Sequence, residues 1–251
     1  MVSIASPSVS RPAFGLAYAW SGFAAMWAFW VCFVVFLASP RQWLAFWPLP
    51  MVDHGGGTSG APLMAALVDL GLVISFGLQH SVMARPWFKE RILGHMPPPF
   101  ERCTYVHMAN VALFALLAFW QPIPTEVWNV GAGIARDALW VLFAMGWIIL
   151  FLGAWSFGMR DLLGIRHMQS WVYGQPQPVR HLKTGCLYRW LRHPMYVGVL
   201  LGVWATPRMT IGHALLALGL TGYVLIAMRY EERDLRRRFG HAYVRWRDAT
   251  R

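Results

Sequence analysis

The sequence predicts an all-α protein: a polytopic transmembrane helical bundle of four ordinary spans plus a C-terminal helical hairpin, with a cytoplasmic cap. Three observations predict it. Hydrophobic residues fill 57% of the 251 positions and charged residues only 13%, with a mean hydropathy of +0.42, which excludes an ordinary soluble globule. The apolar positions gather into runs near the roughly 20 residues that cross a bilayer as a helix, where the backbone must satisfy its own polar groups. The Lys and Arg residues cluster between alternate runs, as they do in cytoplasmic loops.

The first span covers residues 13–37, is rich in Trp and Phe, and stops at Ser39-Pro40. It is too long for a cleavable signal peptide and lacks a small-residue cleavage site, so it is expected to stay in the protein. Residues 53–60 (Asp-His-Gly-Gly-Gly-Thr-Ser-Gly) read as a flexible linker; without a following Lys-Ser/Thr they make no phosphate cradle. The second span, 63–82, carries Asp69, Gln79 and His80, polar groups that need partners in hydrocarbon. A basic stretch then leads to the third span, 105–120. The connection 122–137 has Arg136 as its one basic residue and reads as a loop on the opposite side; strands are not expected.

The fourth span is 138–157, and the segment 158–193, with Arg160, Arg166, Arg180, Lys183, Arg189 and Arg192, is too polar to cross. Two last apolar pieces, 194–205 and 209–228, flank Thr206-Pro207-Arg208 and form the hairpin, its first arm short for a full crossing. Residues 229–251, dense in Arg, read as a separate interfacial or cytoplasmic helix. Both termini fall on the cytoplasmic side of a multi-pass protein. The chain divides into 1–157, the expected substrate side, and 158–251, the expected cofactor-binding region.

The net charge of +11 follows from basic loops lying against anionic head groups, and no nucleic-acid partner is predicted. Cys32, Cys103 and Cys186 are odd in number and widely spaced, so neither a disulfide framework nor a metal site is expected.

Two segments carry chemistry. In Leu187–Gly198, Pro194 suits the first turn of a helix, and Arg192 and His193 would sit beside its free N–H groups, where an anion is favoured. Interfacial anchoring of Arg192, His193 and Tyr196 is the alternative reading. In the second, Glu231 and Glu232 are adjacent carboxylates where the last span leaves the membrane; one could pair with an Arg while the other faces a ligand amine, or both could be solvated. The hairpin returns both segments to the same membrane side, where they can build one pocket.

Gly185, Tyr188, Arg192-His193-Pro194-Met195-Tyr196-Val197-Gly198, Pro207 and Glu231-Glu232-Arg233-Asp234-Leu235 resemble the signature of the isoprenylcysteine carboxyl methyltransferase and phospholipid methyltransferase superfamily. The resemblance implies S-adenosylmethionine held by Gly185, Tyr188, Arg192, His193, Pro194, Tyr196, Gly198, Glu231 and Glu232, with S-adenosylhomocysteine as product. A narrower resemblance rests on His80-Ser81-Val82-Met83-Ala84-Arg85-Pro86, Glu101-Arg102 with Tyr105, Asp161-Leu162-Leu163-Gly164-Ile165-Arg166 and Trp204–Thr210 with Gly212-His213. Together these are similar to the bacterial membrane-bound methanethiol S-methyltransferases. That family implies a small thiol substrate, dimethyl sulfide as product and the bacterial inner membrane as location.

Methyl transfer to a thiol needs alignment, exclusion of water and a thiolate, so a base or cations should assist. His80, Arg85, Arg102 and Arg166 are the candidates, with a hydrogen-bonded structural role as the other reading of His80. Prenylcysteine or phospholipid acceptors, an NADPH sterol-reductase-like enzyme, and a transporter or haem protein using His80 and His107 are the rival functions.

Overall fold

The computed structural model describes residues 10–40, 50–54, 61–179 and 181–250. Linker residues 55–60 and Arg180 lie outside the described residues. Helices α1 (Ser10–Ala38), α2 (Pro62–Met83), α4 (Pro98–Phe119), α5 (Ile134–Phe157) and α9 (Ile211–Phe239) are long and apolar enough to cross a membrane. The shorter apolar α8 (Pro194–Trp204) completes the hairpin. Short helices α3 (Pro86–Phe88), α6 (Met159–Leu162), α7 (Ile165–Val172) and α10 (His241–Ala249) gather at the end of the bundle where α8 begins.

Proline sets several helix starts, because its missing N–H belongs to the unpaired first turn: α2, α4 and α8 all begin this way. In α4 the start falls at Pro98, ahead of the expected span at 105, with Glu101 in the first turn and paired to Lys89 at 3.0 Å. Helix α9 likewise runs past the membrane exit to Phe239, where a separate tail helix was expected from 229. Arg, Glu and Leu are good helix formers, and Arg236, Arg237 and Arg238 complement the dipole in the last turn. The break comes at Gly240, whose φ of 52° suits glycine, and α10 folds back from there.

Helix α8 lies flush along α5. A Cβ on Gly198 would stand 2.5 Å from Leu150 N and 2.6 Å from Gly146 O, and one on Gly146 would stand 2.5 Å from Gly202 N. Glycines thus let two backbones touch, the usual device where lipid supplies no hydrophobic drive. The arms of the hairpin are tied by Trp204 Nε1, donating to Thr221 Oγ1 at 3.0 Å, and by His213 Nε2 against the Val203 carbonyl at 3.0 Å. Aromatic rings fill the interior, with Phe33 edge-on to Trp147 at 5.8 Å and Phe36 edge-on to Trp120 at 5.8 Å. Leu63, Val111, Val141, Ile148 and Leu218 point outward and exposed, as a lipid solvent allows.

The end of the bundle away from α10 holds a surprise. The connection expected as loop and the first residues of the expected last span, Met209 and Thr210, form an antiparallel ribbon of β1 (Glu126–Asn129) and β2 (Arg208–Thr210), with Glu126 opposite Thr210 and Asn129 opposite Arg208. Short length and a bulge hid its period from the sequence. Polar ties fasten it: Arg208 pairs with Glu126 at 3.0 Å and lies 2.9 Å from His54 Nε2, while the Thr210 hydroxyl donates to Asp53 at 2.7 Å. Burial pushes the Asp53 carboxyl above the ordinary carboxylate range, with the Thr210 hydroxyl and Arg208 opposing. Asp69 finds its partner here, accepting the Gln121 N–H at 2.8 Å.

Candidate functional site

The start of α8 and the exit of α9 meet at one end of the bundle. His193 caps α8, Pro194 is its first residue, and Glu231 and Glu232 project from α9 opposite them. Arg192 Nη1 donates to Glu232 Oε1 at 3.1 Å, and His193 Nε2 lies 3.4 Å from the same oxygen. His193 Nδ1 approaches Glu231 Oε2 at 3.7 Å. Glu232 thus holds Arg192 and one nitrogen of His193, while Glu231 approaches the other nitrogen and keeps 39% of its side chain exposed. Tyr196, near one turn into α8, stacks on His193 at 5.6 Å and hydrogen-bonds Glu231.

Two further tyrosines close this cluster. Tyr188, in the 3-10 turn Cys186–Arg189, is buried with its hydroxyl unpartnered; burial pushes its phenol up, so the hydroxyl stays a neutral donor. Tyr243 of α10 is fully buried, its hydroxyl also unpartnered, within electrostatic range of Glu232 and Arg192. Sequence reasoning did not single out Tyr243 as a site residue, and locally it is one of two aromatics, with Trp246, in a short polar helix.

A second polar group lies deeper, between α2, α4 and α9. The Tyr105 hydroxyl is 2.7 Å from His80 Nε2 and donates to the His80 carbonyl at 3.3 Å. The hydroxyl is thus shared between the imidazole Nε2 and the backbone carbonyl, and Nδ1 is a buried atom without a hydrogen-bond partner. Tyr223 of α9 packs against the same imidazole at 6.3 Å and interacts with Ser81. Tyr223, Tyr105 and Glu231 are all in electrostatic range of Tyr196, so the two groups form one continuous polar zone. Tyr223 was missed by sequence reasoning, although it precedes Glu231 at the i, i+8 spacing that shares a helix face.

The remaining predicted residues divide. Arg85 sits beside this zone, donating to the Ser81 carbonyl at 3.1 Å and lying over the Tyr230 ring at 4.9 Å. Arg102 donates to the carbonyls of Asp161 and Leu162 at 2.9 and 2.8 Å, and is felt by Tyr105. Arg166 is largely exposed and pairs with Asp161 at 3.2 Å, apart from the cluster. Gly185 precedes the 3-10 turn with open space where a Cβ would stand, and Gly198 is spent on the contact with α5. His107, the other intramembrane histidine, stacks on Tyr18 at 4.2 Å and bonds Ser21 and the Cys103 carbonyl, on a different face from His80. Among the described residues no three His, Cys, Asp or Glu side chains come together as a metal site would require.

The phospholipid methyltransferase family model matches residues 139–242, which contain Tyr188, the His-Pro helix start and both glutamates. The chain is 41% identical to Methanethiol S-methyltransferase of Mycobacterium tuberculosis over 78% of its length and 80% of that protein. The chain belongs to the methanethiol S-methyltransferase family. Against Methanethiol S-methyltransferase of Pseudomonas deceptionensis the identity is 38%, over 76% of the chain and 72% of the relative. Nurim of Xenopus laevis is 31% identical over 71% of the chain and 63% of that protein. No solved structure matches. Membership makes the protein a membrane methyltransferase, an enzyme that needs a methyl donor.

Proposed function

We propose that the protein methylates methanethiol to dimethyl sulfide, with S-adenosylmethionine as donor and S-adenosylhomocysteine as coproduct, at the cytoplasmic face of the bacterial inner membrane. The observation that carries the reading is His80: an imidazole whose Nδ1 is buried and without a hydrogen-bond partner, joined by tyrosines to a carboxylate and cation cluster suited to an amino-acid group. The loops rich in Lys and Arg lie at the end holding that cluster, which supports a cytoplasmic site with both termini on that side.

The donor set fits the cofactor. Residues 158–251 would hold it: Arg192 and His193 at the start of α8 suit its carboxylate, Glu231 suits its ammonium group, and the unpartnered hydroxyls of Tyr188 and Tyr243 suit its ribose or adenine polar atoms. Tyr196 presents an aromatic face, which favours a cation. Gly185 would let a ligand approach the backbone closely. The cofactor supplies an electrophilic methyl group on a positively charged sulfur.

Residues 1–157 would then carry the acceptor side. His80 Nδ1 takes the thiol proton, and the thiolate so formed is the nucleophile. Tyr105 holds the imidazole at Nε2, and the step uses the tautomer in which Nε2 carries the proton and Nδ1 the lone pair. Arg85 supplies positive charge near the nascent thiolate, Arg102 orders the 161–164 turn below Tyr105, and Arg166 braces that turn through Asp161. The packed rings exclude water, which strengthens each of these interactions.

The test measures dimethyl sulfide over purified protein given methanethiol and S-adenosylmethionine. His80→Gln, which keeps a partner for Tyr105 but no basic nitrogen, is expected to slow product formation by about 10²- to 10⁴-fold at neutral pH and to recover as pH rises. Cofactor affinity should stay unchanged. No product from the wild type despite cofactor binding would overturn the methanethiol reading, and a wild-type rate and pH profile in His80→Gln would overturn the role of His80.

A further inference from the structure

Tyr223 stands where the two halves of the site meet. Its ring is seated in a notch on α2 left by Gly77, where a Cβ would lie 3.1 Å from Tyr223 Cδ2. Phe76 lies 5.6 Å from the ring and His80 lies 6.3 Å away, edge to face at 80°. Tyr105 covers Nε2 of His80, so the rings bounding the rest of the imidazole are Phe76 at 5.4 Å and Tyr223. A thiol whose proton goes to Nδ1 therefore abuts one or both of them. Tyr223 is also within electrostatic range of Glu231 and Tyr196.

We propose that Tyr223 is the specificity-determining wall of the acceptor site, its ring filling the space between α2 and α9 that the alkyl chain of a thiol longer than methanethiol would occupy. This rests on the methanethiol reading. The ring is anchored from three directions: the Gly77 notch behind it, Phe76 beside it, and Ser81 at its hydroxyl. An anchored wall discriminates by size, because one misplaced methylene in a well-packed pocket is worth about 10- to 200-fold in kcat/KM. Gly77 acts through Tyr223, as the position that lets the ring withdraw toward α2.

The experiment compares kcat/KM for methanethiol, ethanethiol and propanethiol in the wild type, Tyr223→Phe, Tyr223→Ala and Gly77→Ala. Tyr223→Phe keeps the wall and should keep the wild-type order of preference. Tyr223→Ala opens the space and should shift the propanethiol to methanethiol ratio upward by about tenfold or more. Gly77→Ala pushes the ring off its seat and should move the ethanethiol to methanethiol ratio downward. A merely structural role would lower all rates together, and unchanged ratios in Tyr223→Ala and Gly77→Ala, beside an active wild type, would overturn the proposal. If Tyr223→Ala does not fold, Gly77→Ala decides alone. An inactive wild type overturns the methanethiol reading itself, a separate result.

Discussion

Glu232 is the residue on which the proposed cofactor cradle turns, and Glu232→Ala separates its stabilising role from its binding role. One carboxylate oxygen holds both Arg192 Nη1, at 3.1 Å, and His193 Nε2, at 3.4 Å. About a quarter of the glutamate side chain and a third of the arginine side chain are exposed, at 24% and 36%. Pairs this wet contribute only about 0.2–1 kcal/mol to folding. For a chain of this size that is a fall of about 4 °C or less in the thermal midpoint. Cofactor binding is affected more. Without Glu232, Arg192 and His193 lose their common anchor and the ligand must order them itself. Losing one charge-assisted contact costs about 1.5–3 kcal/mol, or about a 10- to 150-fold weaker Kd. The assay is calorimetric titration of the purified protein with S-adenosylhomocysteine, alongside a thermal melt in the same detergent. A Kd within a factor of about two of wild type would refute the cradle. A weakened Kd accompanied by collapse of the melt would show that Glu232 supports the fold rather than the ligand.

Two other expectations concern the scaffold. Gly198→Ala places a methyl against the α5 backbone at 2.5–2.6 Å and should destabilise by about 1–3 kcal/mol, read as a lower thermal midpoint. Gly222→Ala, which meets nothing within 4 Å, should be neutral or slightly stabilising, and equal melts for the two variants would sink this account of the α5–α8 contact. Thr210→Val strips Asp53 of its 2.7 Å donor and the His213 N–H of its cap, and should cost about 1–3 kcal/mol of stability. Cofactor affinity should hold, since that network lies at the opposite end of the bundle; a loss of affinity without a loss of stability would contradict the separation.

Hydropathy and charge alone identified the membrane bundle, the order of its spans and the short hairpin arm, because these depend on what each stretch of chain exchanges with lipid and water. The His193-Pro194 start and the Glu231-Glu232 pair were legible for a similar reason: polar groups at a membrane boundary need partners, and a hairpin returns its ends to one side. Local composition was silent on several particulars. The Glu126–Asn129 ribbon was too short for a period, and α9 continues through charges that also suit a solvated tail. The meeting of Gly198 and Gly202 with Gly146 was set only by the crossing of α8 on α5.

The sequence therefore determined that the protein lives in a membrane and which charged groups stand at its boundary. The tertiary structure decided which glutamate takes Arg192, which nitrogen of His80 has no hydrogen-bond partner, and that Tyr223 and Tyr243 belong beside them. The physical reason is that burial of an apolar run is set by its own residues, whereas a hydrogen bond is set by the distance and angle between groups far apart in the chain. Only packing, here glycine against backbone and ring against ring, brings those distances about.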